Sequence, residues 1–256
     1  MIGELSVETA VALAALAFAT STLSAIVGMA GGIILLSSML LVLDPLVALP
    51  IHAVIQLASN ASRSLVQRDH VQWPLVWRYM ILLPPTGYIA LQFARDIEPD
   101  HLKAAIGVFV LIATWKRSWL TLGARPTAEH ANRTFFLLGG AAGALNVVVG
   151  ATGPMIAPFF LGIGLTRQAI IGTKAICQMI GHFVKIILFG ATGFLFLGYS
   201  GFYAMAIPAV FAGTWFGSRL LDRVDEKQFT ILFKTALTCI ALFLILRAAL
   251  SLAAPA

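Results

Sequence analysis

Ten apolar stretches follow one another along this chain, at roughly 7–27, 31–43, 46–67, 73–94, 101–120, 134–149, 154–165, 168–190, 199–220 and 228–251, with short polar punctuation between them. A membrane helix needs about 20 apolar residues, and most of these stretches supply them. Of the 256 residues, 59% are apolar and only 11% charged, against about 25% charged in an ordinary soluble domain. A soluble protein of this length has too little interior to hide that much apolar surface. Composition therefore excludes a soluble globular enzyme, a disordered chain and a disulfide scaffold. The expected fold class is an all-α polytopic membrane protein.

The formal net charge of +6 does not indicate a nucleic-acid partner, because the 17 Lys and Arg are scattered and form no basic run with aromatic interleaving. Cys177 and Cys239 are too few for a metal cluster. Both lie in apolar runs and are expected to be buried and inert. No cofactor is indicated. The first stretch does not read as a signal peptide, since Glu4 and Glu8 stand at its start with no Lys or Arg. Trp73, Trp77, Trp115 and Trp119 fall at span ends, where interface anchoring accounts for them.

Two stretches, 31–43 and 154–165, are too short to cross the hydrocarbon core. Each follows a glycine-rich break, Gly28-Met-Ala-Gly31-Gly32 in one case and Gly150-Ala-Thr152-Gly153-Pro154 in the other. Short helices beside unwound backbone are tolerated at membrane depth only where protein or a water-filled cavity surrounds them. The two breaks are also 122 residues apart. The same offset aligns His52 with Lys174, Gln56 with Gln178, Asn60 with His182 and Arg63 with Lys185. The chain thus reads as a duplication: 1–120 is a first transmembrane repeat, 121–132 a cytoplasmic linker and 133–256 a second repeat.

Five segments per half is an odd number, so tandem copies would enter the membrane in opposite directions as an inverted repeat. Lys116, Arg117, Arg125 and Arg133 place the central loop in the cytoplasm by the positive-inside rule. Both termini are then expected outside. If the short segments are re-entrant, the chain crosses eight times instead of ten, with the same parity. Inverted repeats with paired broken helices are the recurrent architecture of secondary transporters, whose solutes bind near the midplane.

The polar residues inside the apolar stretches are not scattered. His52, Gln56, Asn60 and Arg63 are spaced by 4, 4 and 3, and Lys174, Gln178, His182 and Lys185 repeat the pattern. Such spacing puts each set on one helical face. Thr173 flanks the second stripe. Between Glu129 and Asp222 there is no carboxylate at all. A charged side chain at the bilayer centre costs about 2.5–3.5 kcal/mol, and with acids absent a bound anion is the economical way to offset that. Helix starts at the breaks add exposed amides, and glycine lets a solute approach them. The expected solute-binding set is therefore Lys174, His52, Gln56, Gln178, Thr173, Thr152, Gly28, Gly31, Gly32, Gly150, Gly153, Asn60, His182, Arg63 and Lys185, with the Lys174/His52 pair at its centre. Gly139-x-x-x-Gly143 and Gly213-x-x-x-Gly217 read instead as close helix packing.

At the second break, Gly150-Ala-Thr-Gly-Pro-Met-Ile-Ala-Pro158 followed by Gly172-Thr-Lys-Ala175, the chain resembles the TauE/SafE sulfite exporter family. The first copy, with Pro50-Ile-His-Ala53, follows the pattern more loosely. The resemblance extends over nearly the whole chain. It implies a multi-pass protein of a bacterial inner membrane that exports or takes up a small sulfur-containing anion such as sulfite or an organosulfonate, with export the expected direction. Which anion, and whether a proton or sodium is the coupling ion, the residues leave open. An anion channel with the same lining is the alternative. No nucleotide-binding loop, H-E-x-x-H or G-x-S-x-G occurs; the expectation is a transporter and not an enzyme.

Overall fold

In the computed structural model, residues 5–27, 31–121, 123, 127–150, 152–161, 163–220 and 226–253 are described. They form ten α-helices: α1 (Val7–Val27), α2 (Gly31–Met39), α3 (Pro45–Val66), α4 (Trp73–Arg95), α5 (Pro99–Trp115), α6 (Ala131–Val148), α7 (Gly153–Leu161), α8 (Arg167–Ala191), α9 (Ser200–Leu220) and α10 (Glu226–Ala253). The starts of α2 and α7, and those of α3 and α8, are each 122 residues apart. Three of these helices are long and apolar enough by length and composition alone to cross a membrane, over Val7–Ala25, Gln168–Ala191 and Phe196–Arg219. Others carry more polar groups or, like the 17-residue α5, are shorter.

The helix ends follow local chemistry. Asp44, in extended conformation, precedes α3, whose first residue is proline. Proline also opens α5 and stands in the first turn of α4, where its missing N–H costs nothing. The Thr166 side chain caps α8 by accepting from the Ala169 N–H at 3.3 Å. Some expected boundaries move. The second segment stops at Met39 and not at 43, the seventh at Leu161 and not at 165, and the fifth at Trp115, after which Arg117–Thr121 forms a separate 3-10 turn.

Packing crosses between the halves. α4 lies against α6, α1 against α9, α3 against α8 and α5 against α10. Exchanging the halves maps each of these pairs onto another or onto itself. The two G-x-x-x-G motifs make the closest approaches. A Cβ on Gly139 would run into the Tyr79 carbonyl and one on Gly143 into that of Leu83, while Gly213 and Gly217 meet the Phe18 and Thr22 carbonyls in the same way. The rising numbers on both sides show that α4 runs parallel to α6 and α1 to α9. By contrast, α3 and α8 run antiparallel: His52 meets His182, and Gly172 meets Gln67. Antiparallel pairing of matched helices is what two halves entering from opposite sides produce.

Apolar does not mean buried here. Cys177 is buried, but Cys239 is exposed, which corrects the expectation for it. Cys239 sits on α10, whose Leu242, Phe243 and Leu246 are exposed too; in a lipid-dissolved helix the outer face is as apolar as the inner. Trp73, Trp77, Trp115 and Trp119 are all exposed, as anchors should be.

Candidate functional site

Where α3 crosses α8, the starts of the two short helices close in from either side and leave a narrow cavity of about 20 Å³. It is lined by Ser24, Gly32, Ile33, His52, Gln56, Arg63, Gly153, Pro154, Gln178 and His182. Seven of these belong to the expected set. The lining contains no carboxylate.

The first break brings Gly32 here because α2 packs tightly on the end of α1. The Gly31 N–H donates to Ser24 Oγ at 3.0 Å, and a Cβ on Gly31 would collide with the Thr20 carbonyl. A Cβ on Gly32 would stand 2.8 Å from Gln56 Oε1, so glycine keeps the first turn of α2 open to the cavity. Amides in that turn have no acceptor within the helix. The second break is shaped by Gly150, whose φ of +81 only glycine adopts freely, and where a Cβ would press on Leu36 and Leu49 at 2.5 Å. The Thr152 carbonyl accepts from the Met155 and Ile156 N–H groups at 3.0 and 3.1 Å, which starts α7 and presents Gly153. Gly28 lies outside the described residues.

The polar stripe of α3 is wired along its own helix. Arg63 Nε donates to the Ser59 carbonyl at 3.2 Å and Nη2 to Asn60 Oδ1 at 2.9 Å. Asn60 Nδ2 in turn donates to the Gln56 carbonyl at 2.9 Å. Asn60 is thus a buried support for Arg63 and not a lining residue. A guanidinium has five N–H donors; two are committed here, and the other three have no partner among the described residues. His52 is fully buried, with Nε2 2.8 Å from the Gly32 carbonyl. Because a carbonyl only accepts, Nε2 carries a proton and donates to it. The His52 and His182 rings meet edge to face, with centroids 5.8 Å apart. Each Nδ1 is buried and has no hydrogen-bond partner among the described residues.

Lys185 is entirely buried, and Nζ donates to the carbonyls of Asn146 at 3.2 Å and Gly150 at 3.3 Å. The ammonium therefore stands on the negative end of α6, beside the break, within electrostatic reach of both histidines. Backbone carbonyls, as well as any anion, offset its burial. Thr173 accepts from the Gln72 N–H at 2.9 Å, and Gly172 packs on Gln67. The start of α8 is thereby fastened to the α3–α4 connection. Lys174 is buried there but does not line the cavity. The structure thus sets His182 opposite His52, where the Lys174/His52 pair was expected.

Two residues escaped the sequence reading. Ser24 lines the cavity and holds Gly31, while Asn146 supplies a carbonyl to Lys185. They end α1 and α6 at the same offset of 122. The offset was a sufficient signal, had it been extended upstream of the breaks.

The model of the sulfite exporter TauE/SafE family matches residues 13–244. The chain belongs to this family. No curated protein and no solved structure matches it. Membership makes the protein a multi-pass membrane protein of an anion-exporter family, in accord with a cavity whose polar lining is rich in nitrogen donors and free of carboxylates.

Proposed function

We propose that this chain is a secondary transporter that exports a small sulfur-containing anion, such as sulfite or an organosulfonate, by alternating access. Two inverted halves rock about the α3–α8 crossing and expose the cavity to each side in turn. The observation that carries this reading is the cavity: three uncommitted Arg63 donors, two histidines, two glutamines and the first turns of α2 and α7 converge with no acid among them. A tetrahedral or pyramidal oxyanion has acceptors in several directions and matches such a ring of donors. A cation would meet the positive charges of Arg63 and Lys185 with no carboxylate in the lining to offset them. Lys185, held by the Asn146 and Gly150 carbonyls, adds positive potential from behind the break, and Asn60 and Ser59 hold the guanidinium in place.

The coupling ion in this proposal is a proton. When the His52 ring is neutral, its Nδ1 presents a lone pair, which repels an anion. The protonated ring presents an N–H. Anion binding and protonation of the histidine pair therefore favour each other, and the coupling is reciprocal. The charged groups facing the pair are Arg63 from α3 and Lys185 from α8; the α1, α2 and α7 contributions to the lining, Ser24, Gly32, Ile33, Gly153 and Pro154, do not titrate.

The test is flux in proteoliposomes. Saturable uptake of labelled sulfite, with counterflow when the lumen is preloaded, is the expected outcome. Unitary currents in a planar bilayer would replace the carrier with a channel, and absence of flux for sulfite, thiosulfate, taurine and sulfoacetate alike would overturn the reading.

A further inference from the structure

A second feature lies away from the cavity and shares no lining residue with it. Near the starts of the parallel helices α4 and α6 there is an open groove of about 490 Å³, lined by Trp77, Arg78, Ile81, Asn132, Arg133 and Phe136. Its two arginines lack acidic partners. Arg78 donates to its own helix, to the Pro74 carbonyl at 3.2 Å. Ion pairs among the described residues involve neither Arg78 nor Arg133, and Glu129, the nearest acid along the chain, pairs with neither. Neither helix contains any Asp or Glu. Two guanidiniums therefore meet at one end of a parallel helix pair, where the helix dipoles add positive potential.

The walls are apolar and outward-facing. Trp77 and Ile81 are more than half exposed, as is Leu137 beside Phe136, and Trp73 one turn before Trp77 is exposed too. Exposed tryptophans mark the headgroup level of a membrane, so the arginines stand at that level and the exposed apolar strip below them runs along the acyl region. A free anion would use the arginines and leave the strip unused. A ligand with a phosphate and attached acyl chains uses both.

We propose that this groove is a binding site for an anionic phospholipid, with Arg78, Arg133 and Asn132 on the headgroup phosphate and the acyl chains along Trp77, Ile81 and Phe136. Basic pockets between membrane helices recognise acidic headgroups through this chemistry. The site does not depend on what the central cavity carries.

The experiment uses the full chain purified in neutral detergent, with bound lipid counted by native mass spectrometry and the unfolding midpoint followed by tryptophan fluorescence. Phosphatidylglycerol is expected to bind and raise the midpoint, and phosphatidylcholine at the same mole fraction to do neither. Arg78→Gln/Arg133→Gln is expected to weaken phosphatidylglycerol binding at least tenfold, and Arg78→Lys/Arg133→Lys to keep most of it. Equal binding of the two lipids by the unaltered chain overturns the proposal, and that comparison stands even if the glutamine variant does not fold. Displacement of the lipid by millimolar inorganic phosphate would assign the groove to a free anion. A dimer that dissociates in the glutamine variant would assign it to a second copy. Either result overturns the lipid site.

Discussion

Replacing Arg63 with Gln tests the cavity at its most specific point. After its bonds to Ser59 and Asn60 the guanidinium keeps three donors, which the proposed function assigns to the solute. A hydrogen bond to a charged group contributes about 1.5–3 kcal/mol. Two such bonds to adjacent oxygens of a sulfo group amount to about 3–6 kcal/mol, or roughly a hundredfold to ten-thousandfold in affinity at 1.4 kcal/mol per decade. Arg63→Gln should lose that much, as measured by calorimetric titration of the purified protein with the transported anion. Arg63→Lys keeps the charge but not the fork, and should fall between the two. Lys174→Ala is the informative companion, because Lys174 lies off the cavity: its binding should stay within about threefold of the unaltered protein. Binding unchanged in Arg63→Gln and abolished in Lys174→Ala would refute the reasoning and move the site to the start of α8.

Four further outcomes follow from the geometry. In proteoliposomes loaded with a pH-sensitive dye, thiosulfate influx should carry protons inward, and His52→Gln should bring the proton-to-anion ratio toward zero; anion influx without proton movement in the unaltered protein would remove the coupling role of the histidine pair. Thr173→Val should cost about 1 kcal/mol, the net worth of its bond from the Gln72 N–H, read as a lower unfolding temperature with anion affinity retained. Gly139→Val should cost about 1–3 kcal/mol by forcing α6 off the Tyr79 carbonyl, visible as a lower unfolding temperature, and an unshifted midpoint would contradict the close approach. Gly150→Ala should cost at least about 1–2 kcal/mol from its left-handed backbone alone, with Leu36 and Leu49 adding to it; a variant as stable as the parent would show that the break is not built as described.

Much of this arrangement could be read before any coordinates. The helices begin and end where apolar runs meet Pro, Asp and Gly, because those residues act within a few positions along the chain. The polar stripes were legible as well, since a spacing of 4, 4 and 3 fixes a common face whatever surrounds it. What could not be read was which members of the two stripes meet. α3 and α8 cross antiparallel, so residues matched by the offset of 122 lie at opposite ends of the crossing, and only those near its middle, Gln56 and Gln178, come to line one cavity together. His52 therefore finds His182 and not its own counterpart Lys174. Burial was the other blind spot. The apolar surroundings of Cys177 and Cys239 are alike in sequence, and only packing separates the interior thiol from the one on the outer face of α10. The fate of Lys185 was hidden for a related reason: its partners are main-chain carbonyls at the end of α6, which no side-chain pattern announces.

The most direct measurement is the location of the anion itself. Selenite, a heavier analogue of sulfite, can be placed by anomalous scattering from crystals of the protein grown with it. The account predicts a selenium peak between Gly32, Gly153, Arg63 and the His52/His182 pair. A peak at the start of α8 beside Lys174, or at the outer groove of Arg78 and Arg133 with the central cavity empty, would contradict it.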